Sequence, residues 1–493
     1  MTLVRRYTFA RELVGTRLFV SGLSVSVTHM LTEGSPKTRN RWWSLLILCA
    51  GQLMIILDGS IVTVAMPAIQ RELGFTQSAL AWVVNAYLIA FGGLLLLAGR
   101  LGDLIGRKRM FAAGLVVFTT ASLLCGLAPS QEMLIAARFL QGAGGAMASA
   151  VVLGMVVTMF PEPKEQAKAI GVVSFVSASG ASIGLLAGGV LTDAISWNWI
   201  FFINVPIGVA ATALALKFDK DRGIGFGKGA DILGAVLVTG GLMLLVYAIV
   251  ETNAILLAAA AALIAAFVVR QAKASTPLLP LRIFRSGTVS GANVVQMLMI
   301  AGLFGFQFLG ALYLQQVLHY DALRTGLAYL PVTVAIALVS LFVAPKLKPA
   351  LALVGGLVGI TVALLLLTQA PVNGQYLIHV LPVMILLGIG GGLAMPAVMG
   401  QAMSGATPED SGLASGLVNT TQQVGGAVGL AVLSTFAASR TETELANGTA
   451  QAEALNSGFH LAFAVSAGFV VAAMLVALTV LRRSTAPELA LAG

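Results

Sequence analysis

Long apolar runs separated by short polar connections repeat along the whole chain. They lie near 43–67, 79–98, 110–128, 133–160, 168–192, 197–216, 231–250, 254–269, 289–318, 325–345, 350–370, 376–400, 411–438 and 459–481. About 20 apolar residues is the length of α-helix that crosses a bilayer core. A helix also satisfies its own backbone donors and acceptors where no water can. The pattern therefore predicts an all-α membrane protein with fourteen transmembrane helices.

The connections are not equivalent. Alternate ones collect Lys and Arg: the segment 1–42, the loop from Arg100 to Arg109, Lys164 with Lys168, the loop from Lys217 to Lys228, the loop from Arg270 to Arg285, Lys346 with Lys348, and Arg482 with Arg483. The other set holds only Arg71, Arg324 and Arg440. Basic loops stay on the cytoplasmic side of a membrane. Both termini are therefore expected in the cytoplasm and the chain in the cytoplasmic (inner) membrane. The net charge of +9 would by itself suggest nucleic acid, but its alternation along the chain serves orientation, and no nucleic-acid partner is expected.

Composition removes further classes. Hydrophobic residues make up 58% and charged residues 10%, outside the range of a soluble domain. Cys49 and Cys125 both fall within runs and set no disulfide framework. His29, His319, His379 and His460 are scattered, and no P-loop or metal-ligand spacing occurs. Neither an enzyme nor an ATP-driven pump is expected, and no cofactor or metal. In residues 1–41, Arg5, Arg6, Arg11 and Arg17 interleave with apolar side chains. Two readings stand there: an amphipathic helix on anionic lipid, or a leader ahead of a true start at Met30.

Hydrocarbon cannot solvate a carboxylate, so one inside a span faces a cavity or a partner. Asp58, in Leu57-Asp58-Gly59-Ser60-Ile61-Val62-Thr63-Val64-Ala65-Met66-Pro67, is such a residue, and no other carboxylate lies clearly deep in a run. The one basic residue within a run is Arg138, in Arg138-Phe139-Leu140-Gln141-Gly142-Ala143-Gly144-Gly145. At 1.5 Å per residue, Asp58 sits about 22 Å from the inner end of its helix and Arg138 about 8 Å from the outer end of its own. In a core of about 30 Å the two depths nearly coincide. Arg138 can then bias the proton affinity of Asp58. The competing readings are local hydrogen bonding by Asp58 and snorkelling of Arg138 to the outer headgroups.

Other patterns bear on packing and binding. Gly180, Gly184 and Gly188 recur at four-residue intervals, followed by Gly189, and give a face on which a neighbouring helix packs closely. Asn419, Gln422 and Gln423 fall at i, i+3 and i+4, on one helical face. They either face a ligand cavity or bond between helices.

Several stretches carry a family resemblance. Gly99-Arg100-Leu101-Gly102-Asp103-Leu104-Ile105-Gly106-Arg107-Lys108-Arg109 resembles the G-x-L-a-D-r-x-G-r-k motif between helices 2 and 3 of the major facilitator superfamily. The run from Leu57 to Pro67 resembles the L-D-x-T-i-v-n-V-A-L-P motif of its fourteen-helix drug:proton antiporters, with Ser60, Thr63 and Met66 as conservative departures. Arg138 to Gly145 is similar to R-x-x-Q-G-x-G, associated in that family with proton coupling. Gly180 to Gly189 resembles G-x-x-x-G-P-x-x-G-G, with Leu185 where proline stands, which predicts a straighter helix. Trp197 to Gly208 resembles the turn into helix 6, with Asn198 where arginine is common.

The resemblance implies a major facilitator fold. Two six-helix bundles, 43–216 and 289–481, would be joined through two linking helices in 217–288, between cytoplasmic tails 1–42 and 482–493. Ala344-Pro345-Lys346-Leu347 faintly echoes Ala98-Gly99-Arg100-Leu101, as repeated halves would leave. The implied activity is a monomeric proton-coupled antiporter exporting hydrophobic or amphiphilic small molecules by alternating access. Its partners would be substrate, protons and the lipid bilayer. Asp58 and Arg138 would couple protons; Gly99, Arg100, Gly102, Asp103, Gly106 and Arg107 would form a cytoplasmic gating loop; Gly180, Gly184, Gly188 and Gly189 would pack helices; Gln141, Asn419, Gln422 and Gln423 would line the substrate cavity. An importer or facilitator of a small metabolite is the alternative, and would usually have twelve helices rather than fourteen.

Overall fold

The computed structural model describes residues 36–216, 231–404 and 411–484. The expectations for the segment up to Met30 and for the end of the C-terminal tail lie outside the described residues, as does the loop from Lys217 to Lys228. Secondary structure among the described residues is entirely helical. The longer helices are α1 (Pro36–Leu73), α2 (Trp82–Ile105), α3 (Arg107–Gly126), α4 (Gln131–Met159), α5 (Pro163–Ala194), α6 (Asn204–Ala215) and α7 (Ile232–Val250). They continue as α8 (Ala254–Lys273), α9 (Gly287–Leu312), α10 (Ala322–Leu338), α11 (Pro349–Leu367), α12 (Leu381–Ser404), α13 (Ser411–Ala446) and α14 (Gln451–Ser484). Eleven helices among the described residues are long and apolar enough to cross a membrane. The other three apolar runs are helical as α5, α6 and α13.

The helices begin where a polar side chain can replace the missing backbone partner. Ser130 caps α4 at Met133 N (3.3 Å), Asn253 caps α8 at Ile255 N (3.0 Å), and Asp321 caps α10 at Arg324 N (2.6 Å). Pro163 and Pro349 stand in the first turn of α5 and α11, where no amide hydrogen is required. Between α2 and α3 the chain reverses on Gly106, whose φ of 103° is open to glycine and strained for other residues.

The helices pack in two groups, α1–α6 and α9–α14, and α7 packs on α8 while touching both α2 and α13. The α7–α8 pair is tied at one end by Asp231. Its carboxylate accepts from Gly234 N (2.9 Å), Arg270 Nε (3.1 Å) and Gln271 Nε2 (2.8 Å). Gln271 in turn accepts from Leu279 N (3.0 Å) in the following loop. Burial alone would push the Asp231 carboxyl up, but these donors outweigh it and hold it below the usual carboxylate range.

One set of contacts between the two groups lies at the ends remote from the basic loops. Gln315 Nε2 donates to Val64 O (3.0 Å) and Gln316 Nε2 to Gln70 Oε1 (2.8 Å), joining α9 to α1. Asp193, at the end of α5, accepts from Leu323 N (2.7 Å) at the start of α10. Nearer the basic side the groups meet along α2 and α13, where Gly92 leaves room for Gln423 and Gly416 lies beside Leu96.

Candidate functional site

Four helices bring polar side chains to one buried point in the first group. Asp58 on α1 is 0% exposed and Arg138 on α4 is 1% exposed, and Arg138 Nη1 lies 2.5 Å from Asp58 Oδ2. The depth argument from sequence thus ends in direct contact, and the snorkelling reading of Arg138 is set aside. Arg138 also donates through Nε to Val83 O (2.9 Å) and through Nη1 to Gln141 Oε1 (2.7 Å). Its guanidinium lies 4.4 Å from the centre of the Tyr87 ring and 5.7 Å from that of Phe201. Such faces attract a desolvated cation.

The second carboxylate oxygen is equally well supplied. Asp58 Oδ1 accepts from Gln141 Nε2 (2.8 Å) and from Asn204 Nδ2 (2.9 Å). Ser122 Oγ accepts from the same two amides, at 3.0 Å each, and donates to Phe201 O (3.0 Å). Every residue of this cluster is buried. A buried ion pair is tolerated when hydrogen bonds satisfy its remaining lone pairs and protons; here both Asp58 oxygens and the Nε and Nη1 of Arg138 have partners. Arrangements of this kind respond strongly to adding or removing one proton, because little water is present to compensate.

Gln141 therefore stands elsewhere than expected. The sequence reading placed it in the substrate cavity; it is fully buried and bonded to Asp58, Arg138 and Ser122. The physical reason is helical spacing: Gln141 lies three residues after Arg138 and so shares its inward face. Ser122, Asn204 and Tyr87 were not singled out at all. The available signal was a polar residue within each apolar run, at a depth near that of Asp58.

The glycines of α4 and α5 set the spacing around the cluster. A methyl on Gly142 would run into the Tyr87 carbonyl, so α4 and α2 approach at backbone distance. On α5, Gly180 faces Leu53 and Ile56, Gly184 faces the Leu57 carbonyl and Gly188 the Ile61 carbonyl of α1. Gly189 turns away from this stripe to meet Ala322 and Leu323 of α10. Three of the four glycines thus clamp α1 on either side of Asp58, and the fourth lies at the seam between the groups.

The stretch from Gly99 to Arg109, expected as a loop, is helical except at Gly106, and it binds α2, α3 and α4 together. Arg107 donates to Asp103 Oδ1 through Nε (3.1 Å) and Nη2 (3.0 Å), and through Nη1 to Gly154 O (2.9 Å) on α4. Gly102 packs against Val151 and Gly99 against Ala150, while Arg100 lies half-buried in the penultimate turn of α2. Asn419, Gln422 and Gln423 are half-buried on α13, and Gln423 sits against Gly92 at the seam. The neighbouring Thr421 is committed to Asn293 Oδ1 (3.0 Å). Cys49 and Cys125 are free and buried.

Comparison with known proteins follows this geometry closely. Residues 48–430 match the sequence profile of the Major Facilitator Superfamily. The chain is 38% identical over 451 residues to the puromycin resistance protein pur8 of Streptomyces alboniger, covering 88% of this chain and 90% of that one. It is 37% identical to the cephamycin export protein CmcT of Amycolatopsis lactamdurans, over 92% of this chain and 96% of that one. A tetracenomycin C resistance and export protein of Streptomyces glaucescens is 34% identical over 81% of this chain and 76% of its own. Among solved structures, a bacterial homologue of the lysosomal transporter Spinster, inward-facing and occupied, superposes with a TM-score of 0.66 at 14% identity. That alignment covers 91% of this chain and 98% of the other, and at such identity it speaks for the fold alone.

Proposed function

The chain belongs to the major facilitator superfamily, and from that premise we propose that it is a proton-coupled antiporter exporting hydrophobic or amphiphilic small molecules. It is a multi-pass membrane transporter and not an enzyme. In this reading all fourteen helices cross the cytoplasmic membrane of a bacterium, both termini are cytoplasmic, and α1–α6 and α9–α14 are the two bundles that rock against each other in a monomer. The names of the relatives, for puromycin, cephamycin and tetracenomycin C, support antibiotics as the substrate class.

One observation carries the proposal: a carboxylate and a guanidinium, 0% and 1% exposed, paired within the transmembrane core. Intramembrane ionisable residues are costly and mark proton or ion pathways. The contacts of Gln315, Gln316 and Asp193 shut the outer end of the seam. The chain is therefore read in a state that faces the cytoplasm, with Asp58 charged and held by Arg138. Substrate enters the cleft from the cytoplasm beside the amides of α13. After the outer end opens, Asp58 takes up an outside proton and Arg138 loses its full counter-charge. Reclosure of the outer end returns that proton to the cytoplasm. Asp103, Arg100 and Arg107 close the cytoplasmic end in the alternate state.

Inside-out vesicles test this directly. An acidic interior should drive uptake of ethidium or puromycin, and Asp58→Asn should abolish that drive. Uptake that ignores the pH gradient, or that survives Asp58→Asn unaltered, removes proton antiport as the function.

A further inference from the structure

Asn204 is the member of the buried cluster whose hydrogen-bonding capacity is not used up. Its Nδ2 donates to Asp58 Oδ1 (2.9 Å) and to Ser122 Oγ (3.0 Å), while its carbonyl oxygen is buried without a partner. Gln141, the other carboxamide on Asp58, is committed at both ends. Its Oε1 accepts from Arg138 (2.7 Å) and lies 3.5 Å from Cys125 Sγ, and its Nε2 donates to Asp58 and Ser122. Buried carbonyl groups without a donor are rare in native structures and cost free energy.

The chemistry of Asp58 gives that spare oxygen a use. A carboxylate only accepts hydrogen bonds, whereas a carboxylic acid also donates one. Charged Asp58 therefore requires the nitrogen of Asn204 to face it. Neutral Asp58 needs an acceptor, and the atoms around Oδ1 offer few. Ser122 Oγ already receives two amide hydrogens, and Gln141 Oε1 is held by Arg138. Asn204 Oδ1 is the acceptor still available. A half-turn about χ2 of a carboxamide exchanges the positions of its nitrogen and oxygen, so the oxygen would then occupy the place now 2.9 Å from Asp58. The titratable or charged groups that face Asp58 are Arg138 from α4, Tyr87 from α2 and Cys125 from α3. None of them supplies that acceptor: Arg138 has donors only, the Tyr87 hydroxyl is turned to Ile55 O (3.4 Å), and the Cys125 thiol, a weak acceptor, is turned to Gln141 Oε1 (3.5 Å).

Resting on the reading of Asp58 as the proton carrier, we propose that Asn204 is a two-position hydrogen-bond switch that holds both protonation states of Asp58. Nδ2 faces the carboxylate; after proton uptake the amide turns and Oδ1 accepts the new Asp58 O–H. No covalent bond changes other than the O–H formed on Asp58, whose proton comes from water at the outer side and leaves to water at the inner side. The Asn204 bond to Ser122 Oγ is reversed as that hydroxyl turns its hydrogen from Phe201 O to Asn204 Oδ1. Asn204 is thus a positioning residue for proton transfer, acting from the first turn of α6.

Infrared difference spectra of the purified protein in liposomes, recorded between alkaline and acidic pH, read the C=O stretch of a protonated buried carboxyl. Loss of a band in Asp58→Asn identifies it as that of Asp58. Asn204→Leu should keep the band but move it to higher frequency, because the O–H has lost its acceptor. Uptake driven by the pH gradient should fall about tenfold, and Asn204→Gln should restore most of both. Asn204→Ala, which leaves space instead of bulk, is measured alongside in case the leucine is not accommodated, and the same shift is expected. A band at the wild-type frequency in these variants overturns the switch, and if transport nevertheless falls, Asn204 has a packing role only. If wild type shows no band that Asp58→Asn removes, the proton-carrier reading itself fails, whatever Asn204 does.

Discussion

The two groups of helices differ in what they bury. In α1–α6 the core holds Asp58 and Arg138, hydrogen-bonded into one cluster with Ser122, Gln141 and Asn204, and also buries Asn85. In α9–α14 the buried polar side chains among the described residues are Asn293, Gln296, Thr325, Ser434, Thr441, Asn456 and Ser466, and none is charged. Backbone regularity is distributed the other way. Wide π-type turns occur at Tyr313–Val317, Val339–Val343 and Tyr376–Val380, all in the second group, whereas helices run through a proline in both, at Pro67 in the first and at Pro331 and Pro396 in the second. Such turns are frequently found at functional sites. Close backbone approach through glycine is common to both: Gly142, Gly144 and Gly114 bring α2 and α3 onto α4 in the first group, and Gly356, Gly425 and Gly429 bring α11 onto α12 and α13 onto α9 in the second. What separates the groups is thus charge and the π-type turns: a buried ion pair repays its desolvation only in good geometry, and the described helices that hold it contain no such turn.

Substitutions can break or sharpen this contrast. The largest effect is expected from Arg138→Leu, which leaves Asp58 charged and unpartnered in the core. Stability should fall by about 3–5 kcal/mol, read as a lowered midpoint in thermal unfolding in detergent, and gradient-driven uptake should vanish. Arg138→Lys keeps the charge but lacks the fork that reaches Asp58, Gln141 and the Val83 carbonyl together, so it should recover stability better than transport. The double substitution Gln422→Ala with Gln423→Ala tests the other half. It should raise the KM for dye several-fold, as loss of about 1 kcal/mol of hydrogen bonding would, and leave the response to the pH gradient unaltered. A changed gradient response there would mean that proton coupling is not confined to the first group.

The smallest effect concerns Asp231, a buried carboxylate outside both groups. Its carboxyl is held low by Gly234 N–H, Gln271 and Arg270 despite burial. Its contribution to stability is therefore complete above the unfolded carboxylate value of about 3.9, and is lost as pH falls through the lower folded value. Asp231→Asn should flatten the acid limb of thermal stability below about pH 4 and leave gradient-driven uptake within twofold. A loss of uptake as large as that of Asp58→Asn would make Asp231 part of the proton path.

Much of this was legible in the chain. Apolar run length located the helices, and rise per residue put Asp58 and Arg138 at one depth before any contact was seen. Gln141 was legible in principle, since three residues separate it from Arg138 in a motif associated with proton coupling, yet the sequence reading grouped it with the amides of α13 as cavity lining. Asn204 and Ser122 could not be placed this way. They arrive from α6 and α3, and nothing in sequence separation tells which faces of four helices converge. Gly189 shows the same limit: spacing joined it to Gly188 and the α1 face, while the rotation of one residue around α5 sends it to α10. The missing proline at Leu185 has a visible counterpart at that seam, because the Leu185 carbonyl packs at 2.7 Å from where a methyl on Gly326 would stand.

The position of the α7–α8 pair has a further consequence. It lies over the line where α2 meets α13, with Thr239 seated on Gly93 and Phe267 in one apolar cluster with Leu96, Val289 and Leu417. The Asp231 tie keeps its two helices together as one shutter. The seam between the two groups is therefore covered on that flank by α7 and α8, while α5 and α10 pack together along its other line. A solute dissolved in the bilayer meets a transporter with a front and a back, and α7 and α8 are what cover the back.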